Sequence, residues 1–495
     1  MSDDNPSAAG GSEEASKLSR LWRSPDVERI LSRYDIESTA AHVRMLGETG
    51  IVHDSVAHSV LEALDRIKGE LGQGKSFLRP EHPDVHTALE ARLGELVGEA
   101  AATVRVAVST NDQLATDIRL WLRDVVVELF GSLIDLRSTL IDLADRDMQV
   151  LMPGYTHMQP AMPILLSHWW LAIEARFRAD FTRLSDLYRR LNALPLGAGA
   201  LSGIAQPIDR QLVARYLGFD EVIENSLIAV FDRDYLIEFA SFASVAGLHL
   251  SQVGADLLMW STQEFGFVSL RKAFVFPSRT MPQKRNPVVL EVLRSRPSII
   301  LGRLVEFVST LKAVPMGFSE ELQVCLPSLL SVADNLAAAL ELARTVLPAI
   351  EVNAERMKEA ASADLTNAAA AVDYLVARGL PAEKAAKVVD DLVSYCRQRK
   401  KYLADLELNE WQQFSPAFAE DIHEHVTVEG SVGARSSYGG TSLEQVMMAL
   451  ERAREVLRYD REHLPKLARQ RLVEGKQGRE GEGSPAVSAC MEAEG

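Results

Sequence analysis

Three segments of the chain hold residue types that move protons and grip anions, and each lies where a helical pattern breaks. Met152-Pro-Gly-Tyr-Thr-His-Met-Gln-Pro-Ala-Met-Pro163 sets one histidine, His157, in a turn among prolines. Val275-Phe-Pro-Ser-Arg-Thr-Met-Pro-Gln-Lys-Arg-Asn-Pro287 gathers Ser278, Lys284 and Asn286 into a loop just ahead of a helical stretch carrying Glu291. Val108-Ser-Thr-Asn-Asp-Gln113 precedes the longest helical pattern, and its Ser109 to Asp112 offer cap chemistry and amide donors where a helix dipole favours an anion. Singly, these segments read as a turn histidine, a solvated basic connector and a helix cap. Together they resemble a site for a multiply charged anion, with lysine and amide donors for carboxylates and a serine or histidine to move a proton.

The elements that must position these residues are helices. From near Asp117, Leu122, Val125, Leu129, Leu133, Leu136, Leu140 and Leu143 recur at steps of three and four, and no proline interrupts residues 118–152. A continuous helix there is about 50 Å long at about 1.5 Å per residue. Similar stretches cover 167–193, 234–263, 287–313 and 322–348, with Pro297 and Pro327 expected to kink the last two. Strand signals are scarce and aromatics make up only 6% of the chain, which disfavours sheet architectures. Five apolar seams must be hidden against one another, which predicts an all-α bundle that associates with identical bundles. The expected organisation is a disordered 1–16, an N-terminal helical domain over 17–108, the long-helix bundle over 109–352, a C-terminal helical domain over 353–472 and a disordered tail over 473–495.

The chain has 495 residues, of which 47% are hydrophobic and 25% charged, as in a soluble globular protein. Its 53 lysines and arginines against 69 acidic residues give a net charge of −16, which argues against nucleic acid and anionic membrane as partners. The N-terminus lacks a basic and apolar leader, and no apolar stretch approaches the roughly 20 residues of a membrane span, so a cytoplasmic protein is expected. Cys325, Cys396 and Cys490 are far apart and form no CxxC pair, which offers neither a disulfide framework nor a cysteine zinc site. His423-Glu-His425 lacks a third metal ligand, and Gly197-x-Gly199 lacks dinucleotide spacing and reads as a tight turn.

The segments resemble the signatures of the fumarase/aspartase superfamily, most closely its argininosuccinate lyase branch. Ser-x-x-Met-Pro-x-Lys-x-Asn-Pro stands here as Ser278 to Pro287; Tyr155 to Pro160, Ser109 to Leu122, Pro195 to Leu201, Asp232-Arg-Asp234, Asp373 to Val376 and Gly439-Gly-Thr441 match the branch. The resemblance implies a three-domain subunit, a homotetramer with active sites each built from three subunits, and cofactor-free β-elimination of fumarate from an N-substituted aspartate. It makes Ser278 the base, Lys284 and Asn286 the stabilisers of an aci-carboxylate, and His157 the proton-transfer residue paired with Glu291. Thr156, Ser109 and Asn111 are then fumarate ligands, and His86 lies at the edge of the site in the matching Asp84-Val-His-Thr-Ala88.

Departures cluster on the side that would hold the leaving amine. Thr110 replaces the usual arginine of Ser-Arg-Asn-Asp-Gln, and Arg105-Val-Ala-Val108 replaces His-Thr-Gly-Arg. Arg279 and Pro277 stand for the loop's second serine and its glycine, Phe318-Ser-Glu-Glu-Leu-Gln323 for Tyr-Asn-Lys-Asp-Leu-Gln, and only Leu21-Trp-Arg23 remains of an N-terminal Trp-Gly-Gly-Arg-Phe. Gln323 and Thr110 are accordingly substrate contacts in an altered pocket. Argininosuccinate is the first substrate to expect; a paralogous lyase for another N-succinyl amine and a non-catalytic structural relative are the alternatives.

Overall fold

The computed structural model describes residues 24–469, apart from Glu81 and Leu467. The disordered ends expected at 1–16 and 473–495, Leu21 to Arg23 and Cys490 lie outside the described residues. The architecture is all-α with a few two-stranded ladders.

The longest helix runs Thr110–Arg146, starting earlier than its leucine pattern because Ser109 and Asp112 form a capping box. It packs along Leu166–Leu191, which packs on Asp234–Trp260; Pro297–Leu311 and Leu326–Val346 complete the layer. Their apolar faces meet in one core that includes Phe130, Phe177, Phe239 and Leu336. The two prolines act as expected of residues that cannot donate to a preceding turn: Val288–Ser295 breaks at Arg296 before Pro297, and Glu321–Val324 breaks at Cys325 before Leu326 and Pro327.

Two segments, Asp234–Trp260 and Glu321–Ala349, are long and apolar enough to cross a membrane, which the sequence reading did not anticipate. Half or more of each apolar window is buried inside the protein, where Phe239, Ala243, Leu250, Leu329 and Leu336 supply the core, and this accounts for their hydropathy.

Pro25–Glu48, Asp54–Gly72 and Val85–Val97 enclose a smaller core around Val43, Val60 and Leu89, while Pro25–Glu48 also turns Leu31 and Tyr34 toward the longest helix. Residues 365–426 form a further cluster around Trp411 and Phe418. Leu443–Glu462 returns to the bundle, where Asp460 pairs with the fully buried Arg137 at 2.7 Å and Glu174 with the same guanidinium at 2.9 Å.

Candidate active site

The start of the longest helix is tied to the turn that follows Leu166–Leu191. Asp112 accepts from the backbone of Ser109 through one oxygen and from Gly197 and Gly199 through the other, at 3.0, 2.9 and 2.7 Å. Both glycines have positive φ, and a Cβ at Gly197 would lie 2.7 Å from the Arg210 side chain, so the Gly-x-Gly pattern is a clamp for a buried carboxylate. The Asn111 amide reaches Ala200 O at 3.3 Å, which fixes Ser109, Thr110 and Asn111 at the helix mouth.

Beside that mouth lies a cavity of about 270 Å³ whose wall includes His86, Thr110, Asn111, Phe318 and Gln323. Four of the expected substrate contacts, His86, Thr110, Asn111 and Gln323, thus share one space although they come from three distant stretches of chain. Sequence reasoning missed three further wall groups, Ser24, Glu28 and Leu31. Their signal was helical: Ser24 caps Pro25–Glu48, and Glu28 and Leu31 follow one and two turns on.

His86 is held from behind. Its Nδ1 lies 2.5 Å from Asp35 Oδ1, which also accepts from the Gln113 amide at 2.6 Å, and Asp117 sits alongside with Ser38 Oγ donating to it at 2.6 Å. The ligand atoms of Asp35, His86 and Asp117 lie within 4.8 Å of one another. Their pairing is that of a protonated cluster: burial and the neighbouring Asp35 hold the Asp117 carboxyl well above the usual carboxylate range. Burial alone would lower the His86 pKa, but Asp35, helped by Asp117 and Asp84, raises it to about 9. Neither aspartate was picked out from sequence, because both lie inside ordinary helical pattern.

A cation favoured by folding stabilises fully below its unfolded pKa and stops doing so as pH rises through its folded value. For His86 that window runs from about 6.5 to about 9. The melting temperature is therefore expected to fall more steeply over this window in the natural chain than in His86→Asn. Parallel calorimetric profiles would remove the ion pair from the account.

His157 stands at the tip of a hairpin, Leu151–Thr156 paired with Gln159–Leu165, which replaces the plain turn read from the sequence. His157 and Met158 have φ of 53° and 59°, the geometry of a two-residue hairpin turn but unusual for residues bearing a Cβ. The tip, with Thr156, projects into solvent.

Ser278 opens a loop closed by the ladder of Phe276–Pro277 with Arg285–Asn286. Its N–H donates to Lys284 O at 3.2 Å, and its Oγ receives the backbone N–H groups of Met281 at 3.1 Å and Thr280 at 3.4 Å. Two donors aimed at a hydroxyl oxygen favour its anionic form, the tuning a serine base needs. Asn286 is half-buried in the ladder, Lys284 is exposed on the loop, and Glu291 is exposed in the first turn of Val288–Ser295. Among the described residues no hydrogen bond or ion pair joins His157 to Glu291, and none of His157, Thr156, Ser278, Lys284, Asn286 and Glu291 lines the cavity. One chain therefore presents three separate portions of chemistry: a capped cavity, a histidine-tipped hairpin and a serine–lysine loop.

Comparison with known proteins gives the fold and these portions a context. A lyase family model matches residues 14–302 and a model of the argininosuccinate lyase C-terminal region matches residues 365–433. The chain is 39% identical over 430 residues to argininosuccinate lyase of Syntrophotalea carbinolica, spanning 87% of this chain and 93% of that protein. It is 42% identical over 439 residues to argininosuccinate lyase of Synechococcus sp. (strain JA-3-3Ab), spanning 88% and 90%. Among solved structures, an EDDS lyase variant with bound fumarate superposes with a TM-score of 0.80 at 25% identity, covering 95% of this chain and 97% of that one. Class II fumarase of Schistosoma mansoni shares the fold, with a TM-score of 0.71 at 16% identity over 85% of this chain and 94% of that one.

Proposed function

Because the chain belongs to the argininosuccinate lyase family of the fumarase/aspartase superfamily, and is a carbon–nitrogen lyase, we propose that it cleaves argininosuccinate to arginine and fumarate by β-elimination. The observation that carries this reading is the Ser278 loop, in which two backbone donors hold the hydroxyl oxygen next to a lysine in sequence and space.

Ser278 Oγ takes a proton from Cβ of the succinyl group, and the electron pair moves into the adjacent carboxylate as a dianion. Lys284 and Asn286 stabilise that charge, the electrostatic contribution usually largest in such chemistry. The pair then returns to form the double bond as the Cα–N bond breaks, its electrons leaving with the nitrogen. His157, polarised by Glu291, serves proton transfer, while Ser109, Asn111 and Thr156 hold the fumarate carboxylates. His86, Thr110 and Gln323 face the leaving amine. No step of this sequence requires a metal or an organic cofactor.

The working form is a cytoplasmic homotetramer in which the hairpin and the loop of neighbouring subunits meet the cavity. Supporting this, the bundle helices leave Leu248, Ile299, Leu301, Val305 and Val308 exposed as apolar surface for other copies to cover. Ser278→Ala and Asn111→Ala homotetramers should each be inactive, whereas mixed tetramers formed by co-expression should recover activity at sites built from intact contributions. Mixed tetramers as inactive as their parents would place the whole site within one chain.

A further inference from the structure

The cavity beside Asn111 has an uneven charge that its place in the reaction does not explain. Three carboxylates, Glu28, Asp84 and Glu320, belong to its wall, and among the described residues lining it there is no lysine or arginine. Its one cationic group, His86, is already answered by Asp35 at 2.5 Å with Asp117 alongside. The rest of the wall is largely hydrocarbon, with Val27, Leu31, Leu114, Phe318 and Leu326. The chain's exposed cations near the proposed chemistry, Lys284 and Arg285, are on the Ser278 loop, which the proposed function assigns to the succinyl half.

We infer that this cavity recognises the leaving amine by its positive charge alone, so that its preferred substrates are N-succinyl guanidines and amines whose far end is a cation without a carboxylate. The inference rests on the cavity being the amine side of a fumarate-forming site. An ammonium or guanidinium entering it meets three carboxylates. An amino-acid end brings the same cation together with a carboxylate, which must leave water for a space offering like charges and apolar carbon and no unanswered cation. Arginine ends in such a zwitterion; agmatine is arginine without the carboxylate.

In the reverse reaction a neutral guanidine nitrogen forms the bond to one alkene carbon of fumarate, and a proton is delivered to the other. Purified full-length protein would be supplied with fumarate and either arginine or agmatine, following loss of fumarate absorbance and the mass of the adduct. The expected result is a kcat/KM for agmatine at least about ten-fold above that for arginine, with most of the difference in KM. Thr110→Arg, at an exposed position of the wall, should raise the relative use of arginine by about ten-fold by supplying the missing cation. Arginine used as well as agmatine by the natural chain overturns the inference and leaves the lyase reading standing. Consumption of neither amine by folded protein overturns both.

Discussion

Replacing Ser278 by alanine is expected to lower kcat for fumarate release by about 10³-fold or more, within the range that positioned acid–base groups contribute, while leaving the fold and assembly unchanged. The hydroxyl has no part in any core: its partners are the N–H groups of Thr280 and Met281 in its own loop, and the strand pairing that closes the loop uses Phe276, Pro277, Arg285 and Asn286. Removing Oγ leaves those two donors to water at small cost. What is lost is the one oxygen in the loop held by donors that favour its ionised state. Steady-state rates, circular dichroism and sedimentation measured together separate loss of the base from loss of structure. Activity within ten-fold of the natural chain would remove Ser278 from the base role.

Lys284→Met carries the second large effect, a fall in kcat of about 10²- to 10³-fold, the usual consequence of deleting a group aimed at developing charge. Among the described residues Lys284 has no ion-pair partner, so its ammonium is not committed to holding the loop, whereas its carbonyl, which the substitution keeps, accepts from Ser278 N. The loss should fall on kcat, because the dianion carries more charge next to the lysine than the ground-state carboxylate does. A rise in KM at unchanged kcat would assign Lys284 to ground-state binding instead.

Much of the scaffold was legible because apolar spacing is a local signal. The leucines of the longest helix announce its buried face, Ser109 announces its cap, and Pro297 and Pro327 announce two breaks. The hairpin of residues 151–165 was not legible as strands, since three prolines hide any alternation of side chains and its register depends on backbone pairing. The two membrane-length segments were misjudged for the opposite reason: burial inside a bundle demands continuous hydropathy, which a sequence reading undercounts when polar residues punctuate it.

The candidate site was legible unevenly. Ser278, Lys284, Asn286, His157 and Asn111 stand in motifs dense enough to be noticed, but what surrounds them depends on tertiary assembly. Asp35, His86 and Asp117 are separated by more than eighty positions end to end and meet only because Pro25–Glu48 and Val85–Val97 dock together on the longest helix. Glu28 and Glu320 likewise acquire meaning only as opposite walls of one cavity. The expected pairing of His157 with Glu291 has no counterpart within a single chain, as a site shared between subunits would require.

The measurement that bears most directly on the central claim is the ultraviolet absorbance of fumarate when purified protein meets argininosuccinate, with the amine product identified by mass. The account predicts fumarate and arginine in equal amounts at an ordinary enzymatic rate, on the order of 1 to 100 per second, and none with Ser278→Ala. A folded assembly of the natural chain that releases no fumarate from argininosuccinate would contradict it.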